Sequence, residues 1–198
     1  MASEAQIAKL ALQHLGDRYD ITSLDEASPE AEQVNLIFED VRDAMLRSHP
    51  WKFAVKQTSP STLVGTVPNQ WDYMFVYPSD ALKVLNIVNP FGRAEKPIKF
   101  DVMLNSTGTK VLVCDLEEPE FRYISKVTDT GMFDPAFVIA FAYRLAENLA
   151  IPLTGDTALR DRMRALADAE TSAAMRENAN EGVEEEIFRD PDWITARA

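Results

Sequence analysis

Residues 28–54 constrain the fold more than any other part of the chain, because their periodicity changes from helical to strand-like within a few positions. Val34, Ile37, Phe38, Val41 and Met45 recur at helical spacing and gather on one stripe. Ser28 is a natural N-cap, and Pro29 suits the first helical position, where a missing N–H costs nothing. Glu30 and Glu32 fall in the first turn, where the helix dipole favours negative charge. Pro50 stops the helix, since it has no donor for the ladder, and it pushes His49 toward an extended conformation. Trp51 and Phe53 then alternate with polar Lys52, as in a strand. The pattern predicts a boundary between a helical body and a β insertion. Trp51 and Phe53 are expected as core residues that close the insertion over the helices, not as a binding site.

The rest of the chain fits that division. Ser3 and Gln6 have capping-box spacing at the start of a first helix over about residues 4–15, with Ile7, Leu10, Ala11 and Leu15 as its apolar stripe and Gly16 as its stop. From residue 51 to 127 the period is mostly that of strands. Short apolar or aromatic runs at 62–64, 72–77, 81–88, 98–104, 110–114 and 121–127 are separated by turn signals such as Pro78-Ser79-Asp80, Asn89-Pro90 and Asn105-Ser106-Thr107-Gly108. They predict an antiparallel sandwich or small barrel. Asp134-Pro135 opens a third helix that is apolar on more than one face and is expected to end at Ile151-Pro152. Thr154-Gly155-Asp156 starts a fourth, with Leu159, Met163, Leu166, Ala167 and Ala174 on one face. The fold class is α+β: a four-helix body (1–50 and 132–178), an antiparallel β-rich insertion between helices 2 and 3 (51–131), and an extended C-terminal arm (179–198).

Composition narrows function by exclusion. A net charge of −12 argues against a surface that grips nucleic acid, which needs clustered Lys and Arg, but not against one that DNA passes without sticking. The single cysteine, Cys114, excludes an intramolecular disulfide and a Cys-based zinc site. The start of the chain does not read as a signal peptide, and no apolar stretch reads as long enough to span a membrane. His14 and His49 lie on different predicted elements; His14 reads as a helix-end histidine. No nucleophile elbow, P-loop or dinucleotide fingerprint is present, so neither catalysis nor a cofactor or metal site is expected.

Two surface features stand out. Arg160, Arg162 and Arg164 lie among Asp161, Asp168 and Glu170, either as a solvated face of weak ion pairs or as inter-subunit contacts in a ring. Beyond Asn178 six acids face two arginines, yet Ile187, Phe188, Trp193 and Ile194 punctuate this acidic stretch. Such anchors fit an arm that orders on a partner, or a tail that folds back on its own domain.

The order of several motifs carries a resemblance. The first helix ends Leu15-Gly16, and Ser23-Leu24-Asp25-Glu26 and Ser28-Pro29-Glu30-Ala31 follow. The second closes in Val41-Arg42-Asp43-Ala44-Met45-Leu46-Arg47, then His49-Pro50-Trp51-Lys52-Phe53-Ala54. Later come Tyr77-Pro78-Ser79-Asp80-Ala81-Leu82-Lys83-Val84, Phe133-Asp134-Pro135-Ala136-Phe137 and Leu145-Ala146-Glu147-Asn148-Leu149-Ala150. Over most of residues 3–178 this resembles the head-to-tail adaptors of short-tailed bacteriophages, of the tail tubular protein A type. The resemblance implies a non-enzymatic virion protein at the head–tail interface, made in the host cytoplasm. It implies a homo-oligomeric, twelve-fold ring that joins the portal protein to the tail nozzle protein around a DNA channel. The arm, through Ile187, Phe188, Trp193 and Ile194, is the expected portal contact, and the β insertion the expected contact for the nozzle or tail fibres. A connector from a longer-tailed phage, and a stand-alone small-ligand binding protein or enzyme with a pocket between sheet and helices, are the competing readings.

Overall fold

The computed structural model describes residues 2–16, 21–67, 70–88 and 97–181. Four helices, α1 (Glu4–Leu15), α2 (Pro29–Ser48), α3 (Pro135–Thr154) and α4 (Thr157–Asn180), flank six strands, giving an α+β fold. The strands are β1 (Val55–Thr58), β2 (Tyr73–Val76), β3 (Ala81–Val88), β4 (Phe100–Leu104), β5 (Lys110–Cys114) and β6 (Glu120–Ser125). They form two antiparallel three-stranded sheets, ordered β1-β6-β3 and β2-β5-β4.

Local chemistry sets the helix ends. Ser3 and Gln6 form the reciprocal capping box of α1, and Ser28 accepts the Ala31 N–H at the start of α2. Asp134 and Asp156 do the same for α3 and α4. Between β4 and β5, Asn105 Oδ1 accepts the N–H groups of Thr107 and Thr109, and Gly108 takes the positive φ of 78° that closes the turn.

α3 is the centre of the helical body, and α1, α2 and α4 all pack against it. Phe137, Phe141, Leu145 and Leu149 are buried there with Ile7 and Leu12 of α1, Val34, Phe38 and Leu46 of α2, and Met163 of α4. This explains a composition that sequence reading undervalued: α3, with a mean hydropathy of 1.4, is itself long and apolar enough to cross a bilayer. Here three helices pack against it and cover one side, leaving Ile139 and Ile151 exposed. The α2 stripe is also rotated from its expected line. Ala31, Val34, Phe38, Arg42, Met45 and Leu46 are buried, whereas Ile37 and Val41 sit half-covered on its shoulder.

Several expected boundaries differ: where the sequence predicts a strand over 62–64, Thr62 makes only an isolated bridge to Phe75, and the first strand is Val55–Thr58. Residues 51–54 form a turn rather than a strand, with the Ala54 and Val55 N–H groups both donating to the Trp51 carbonyl at 2.9 and 3.0 Å. The alternation of Trp51, Lys52 and Phe53 correctly tracks burial, but the aromatics point into the helical core through a turn. α3 runs through Pro152 to Thr154; the proline gives no N–H to the Asn148 carbonyl, and only Leu153 and Thr154 follow it in the helix. Gly155 then ends the helix at φ 69°, its N–H donating to the Ile151 carbonyl.

The β insertion adds two further layers. On β6, Phe121 faces the second sheet and Ile124 faces the helices, as odd spacing on a strand requires. Phe75, Leu112 and Cys114 of the second sheet meet Phe121 and Ile87 of the first. β5 reads Val111-Leu112-Val113-Cys114 with all four buried, because Leu63, Val67 and Trp71 cover its outer face. Polar groups fix the sheet to the body: Lys126 Nζ bridges Glu39 at 3.3 Å and Asp43 at 3.1 Å on α2, and Arg47 donates to the Leu82 carbonyl on β3.

Candidate interaction surfaces

The α4 arginines divide among three roles. Arg160 pairs with its neighbour Asp161 at 2.6 Å. Arg164 lies 3.9 Å from Glu147 of α3, within ion-pair range but beyond a hydrogen bond. Arg162 is exposed and has no ion pair among the described residues. The contact that ties α4 to α3 is one the sequence did not single out: Arg144 donates to Asp168 of α4 and to Glu147 one turn along α3, both at 2.7 Å. The expected cluster of three inter-subunit arginines is thus partly used within the chain, and Arg162 is the one left to solvent.

α2, α3 and α4 do not close completely. A cleft of about 530 Å³ opens between them, lined by Asp40, Val41, Ala44, Met45 and Ser48 of α2, Arg144 and Asn148 of α3, and Thr171 and Met175 of α4. Part of its wall is apolar because Val41 and Ala44 lie on the shoulder that the rotated α2 stripe leaves uncovered. Arg144 is already neutralised by Glu147 and Asp168, and Asn148 donates to the Arg144 carbonyl at 2.8 Å. Thr171 Oγ1 is buried without a hydrogen-bond partner. The cleft combines apolar Val41, Ala44, Met45 and Met175 with the polar side chains of Asp40, Ser48 and Asn148.

A second cleft, of about 510 Å³, lies at one end of the sandwich between Ser59, Ser61, Thr62 and the turn Glu117-Glu118-Pro119-Glu120. Phe75 and Val88 form its floor. The junction between helices and the first sheet is filled instead, by Ile124, Phe53, Leu82, Leu85 and Val127.

The titratable groups are dispersed. His14 stacks on Tyr143, with ring centroids 4.0 Å apart, and burial pushes its pKa down. His49 meets Asn178 at the end of α4. The Cys114 thiol is held in the sandwich core near the Leu116 carbonyl, and burial pushes its pKa up, away from the reactive thiolate. Among the described residues no three His, Cys, Asp or Glu side chains group as metal ligands.

Several large apolar side chains face solvent. Leu36 on α2 is 71% exposed and Leu104 at the tip of the β4–β5 hairpin 67%; Ile139 and Ile151 of α3 and Val64 are also uncovered. Ile187, Phe188, Trp193 and Ile194 lie outside the described residues. α4 extends to Asn180, so the expected boundary between body and arm at 178/179 falls inside its last turn. Two buried polar residues escaped the sequence reading. Arg42 and Asn178 each sit four residues from an apolar member of a buried stripe, Phe38 and Ala174, and that register was the available signal. No protein-family model matches the chain, and no curated protein matches it.

Proposed function

We propose that the chain is a non-enzymatic virion structural protein: a ring-forming head-to-tail connector between a portal and a tail nozzle, around a channel that DNA traverses. The observation that carries this reading is architectural. A helical body built from both ends of the chain surrounds one central helix and holds out a β insertion, in the order of the motifs that resemble phage adaptors. Solvent-facing Leu36, Ile139 and Ile151 on that body supply apolar area for lateral packing of copies, and exposed Arg162 of α4 supplies a cation without an ion pair among the described residues. A net charge of −12 suits a lumen that repels DNA. The nozzle or tail fibres would meet the β insertion, whose Leu104 hairpin tip is exposed. The portal would take the segment beyond Glu181.

Truncation after Glu181 tests the portal assignment while sparing α4. Loss of portal capture with an unchanged melting temperature supports it; full capture by the truncated chain removes it. The cleft between α2, α3 and α4 favours a second reading, a small-ligand binding protein. A thermal-shift response to a metabolite panel, abolished by Ala44→Trp in the cleft, would support that reading instead.

A further inference from the structure

α4 ends against the corner that follows α2. Asn178, buried in the last turn of α4, accepts the Lys52 backbone N–H on Oδ1 at 2.9 Å. Its Nδ2 lies 3.0 Å from His49 Nε2. A backbone N–H can only donate, so Lys52 fixes the amide with oxygen toward itself and nitrogen toward His49. The amide nitrogen is also only a donor. His49 Nε2 therefore has to accept, which makes the ring neutral with its proton on Nδ1. Trp51 holds the ring plane edge-on, with centroids 4.9 Å apart, and Lys52 Nζ reaches the Ala179 carbonyl at 3.5 Å.

We propose that His49 and Asn178 form a proton-operated latch, in which neutral His49 holds the last turn of α4 on the α2 corner and a proton taken from solvent onto Nε2 releases it. Protonation sets an N–H of the imidazolium against the NH₂ of Asn178. Turning the amide over transfers the same clash to the Lys52 N–H, so one of the two bonds is lost in either orientation. The charged side chains on the packed elements are Arg47 at the end of α2, Lys52 in the corner, and Arg176, Glu177 and Glu181 around the end of α4. None of them pairs with the ring. Burial also pushes the His49 pKa below its ordinary 6.5. A depressed folded pKa means that the latch is fully closed above pH 6.5 and is lost as pH falls through the lower folded value.

The test is amide hydrogen exchange of the full chain at pH 7.5 and pH 5.0, corrected for intrinsic exchange and read at Lys52 and the last turn of α4. The latch predicts about a tenfold loss of protection at pH 5.0, the worth of one hydrogen bond to a buried partner, with α3 unchanged. In His49→Gln the side-chain oxygen accepts from Asn178 at either pH, so protection should no longer depend on pH. Equal protection at both values in the natural chain, or the same loss in His49→Gln, would overturn the proposal. Imidazole nitrogen shifts provide a check that needs no variant: an Nε2–H tautomer at pH 7.5 contradicts it, and an Nδ1–H tautomer agrees with it.

Discussion

The indole N–H of Trp51 donates to the Met45 carbonyl at 3.0 Å, so the first aromatic after the corner caps the helix before it. A last-turn carbonyl has no backbone partner within its own helix, and here two side chains supply donors, Trp51 and the Ser48 hydroxyl at 2.7 Å. The same ring is 1% exposed and packs edge-on against Phe137 of α3 with centroids 4.9 Å apart. Trp51→Phe keeps much of the packing and leaves the carbonyl its Ser48 donor, so it should cost about 0.5–1.5 kcal/mol. Trp51→Ala should cost about 3–5 kcal/mol. Denaturant unfolding of the two variants checks both size and order.

Arg42 makes the opposite prediction. It is 1% exposed and bonds Asp43 at 2.9 Å, yet its Nη2 has no hydrogen-bond partner and lies 3.7 Å from Glu39. Both carboxylates also pair with Lys126, so removing the guanidinium does not leave them unpaired. Arg42→Met should therefore stay within about 1 kcal/mol of the natural chain or stabilise it. Arg42→Ala, which leaves a cavity, should cost about 2–5 kcal/mol. Similar large losses in both variants would mean that the charge itself is required.

The corner and the helix ends were legible because they depend on neighbours in sequence: Ser28, Pro29 and Pro50 act within one turn. Arg42, Asn178 and the path of residues 51–54 were not. Asn178 finds Lys52 across 126 positions, and nothing in either neighbourhood encodes that pairing. Pro152 misled because a proline disturbs the ladder locally, and α3 continues past it only as far as Thr154. The arginines of α4 were visible as a group, but their division between Asp161, Glu147 and solvent depends on where α3 places Glu147.

Asp80 links the start of the first sheet to its centre, accepting from Lys56 on Oδ2 at 2.9 Å and from Tyr123 on Oδ1 at 3.1 Å. Burial and the Asp80 carboxylate push the Tyr123 phenol up to about 12. Burial alone would raise Asp80, but the hydrogen bonds from Lys56 and Tyr123 outweigh it and hold the carboxyl below its usual value. For Tyr123 the raised folded pKa means stability that is present below 10 and lost as pH rises through about 12. For Asp80 the depressed pKa means stability present above 3.8 and lost at lower pH. Tyrosinate absorbance should reveal one phenol titrating well after the others in the folded chain, and that late step should vanish in Tyr123→Phe. A single common titration in the natural chain would contradict the geometry.

Thr171 offers a stabilising substitution. Its hydroxyl is buried at the α2–α3–α4 cleft with no partner, while its shape matches valine. Thr171→Val removes an unsatisfied polar atom without changing volume and should stabilise by about 1 kcal/mol. Calorimetry decides it: a lower melting temperature would mean that the hydroxyl is satisfied in solution.

The connector reading meets its most direct test in electron microscopy of the purified chain, alone and mixed with its portal. A ring-forming connector would give closed rings seated coaxially under the portal, with the helical bodies side by side and the subunit number read from the images. Monomers in both samples, with the portal ring intact, would contradict it.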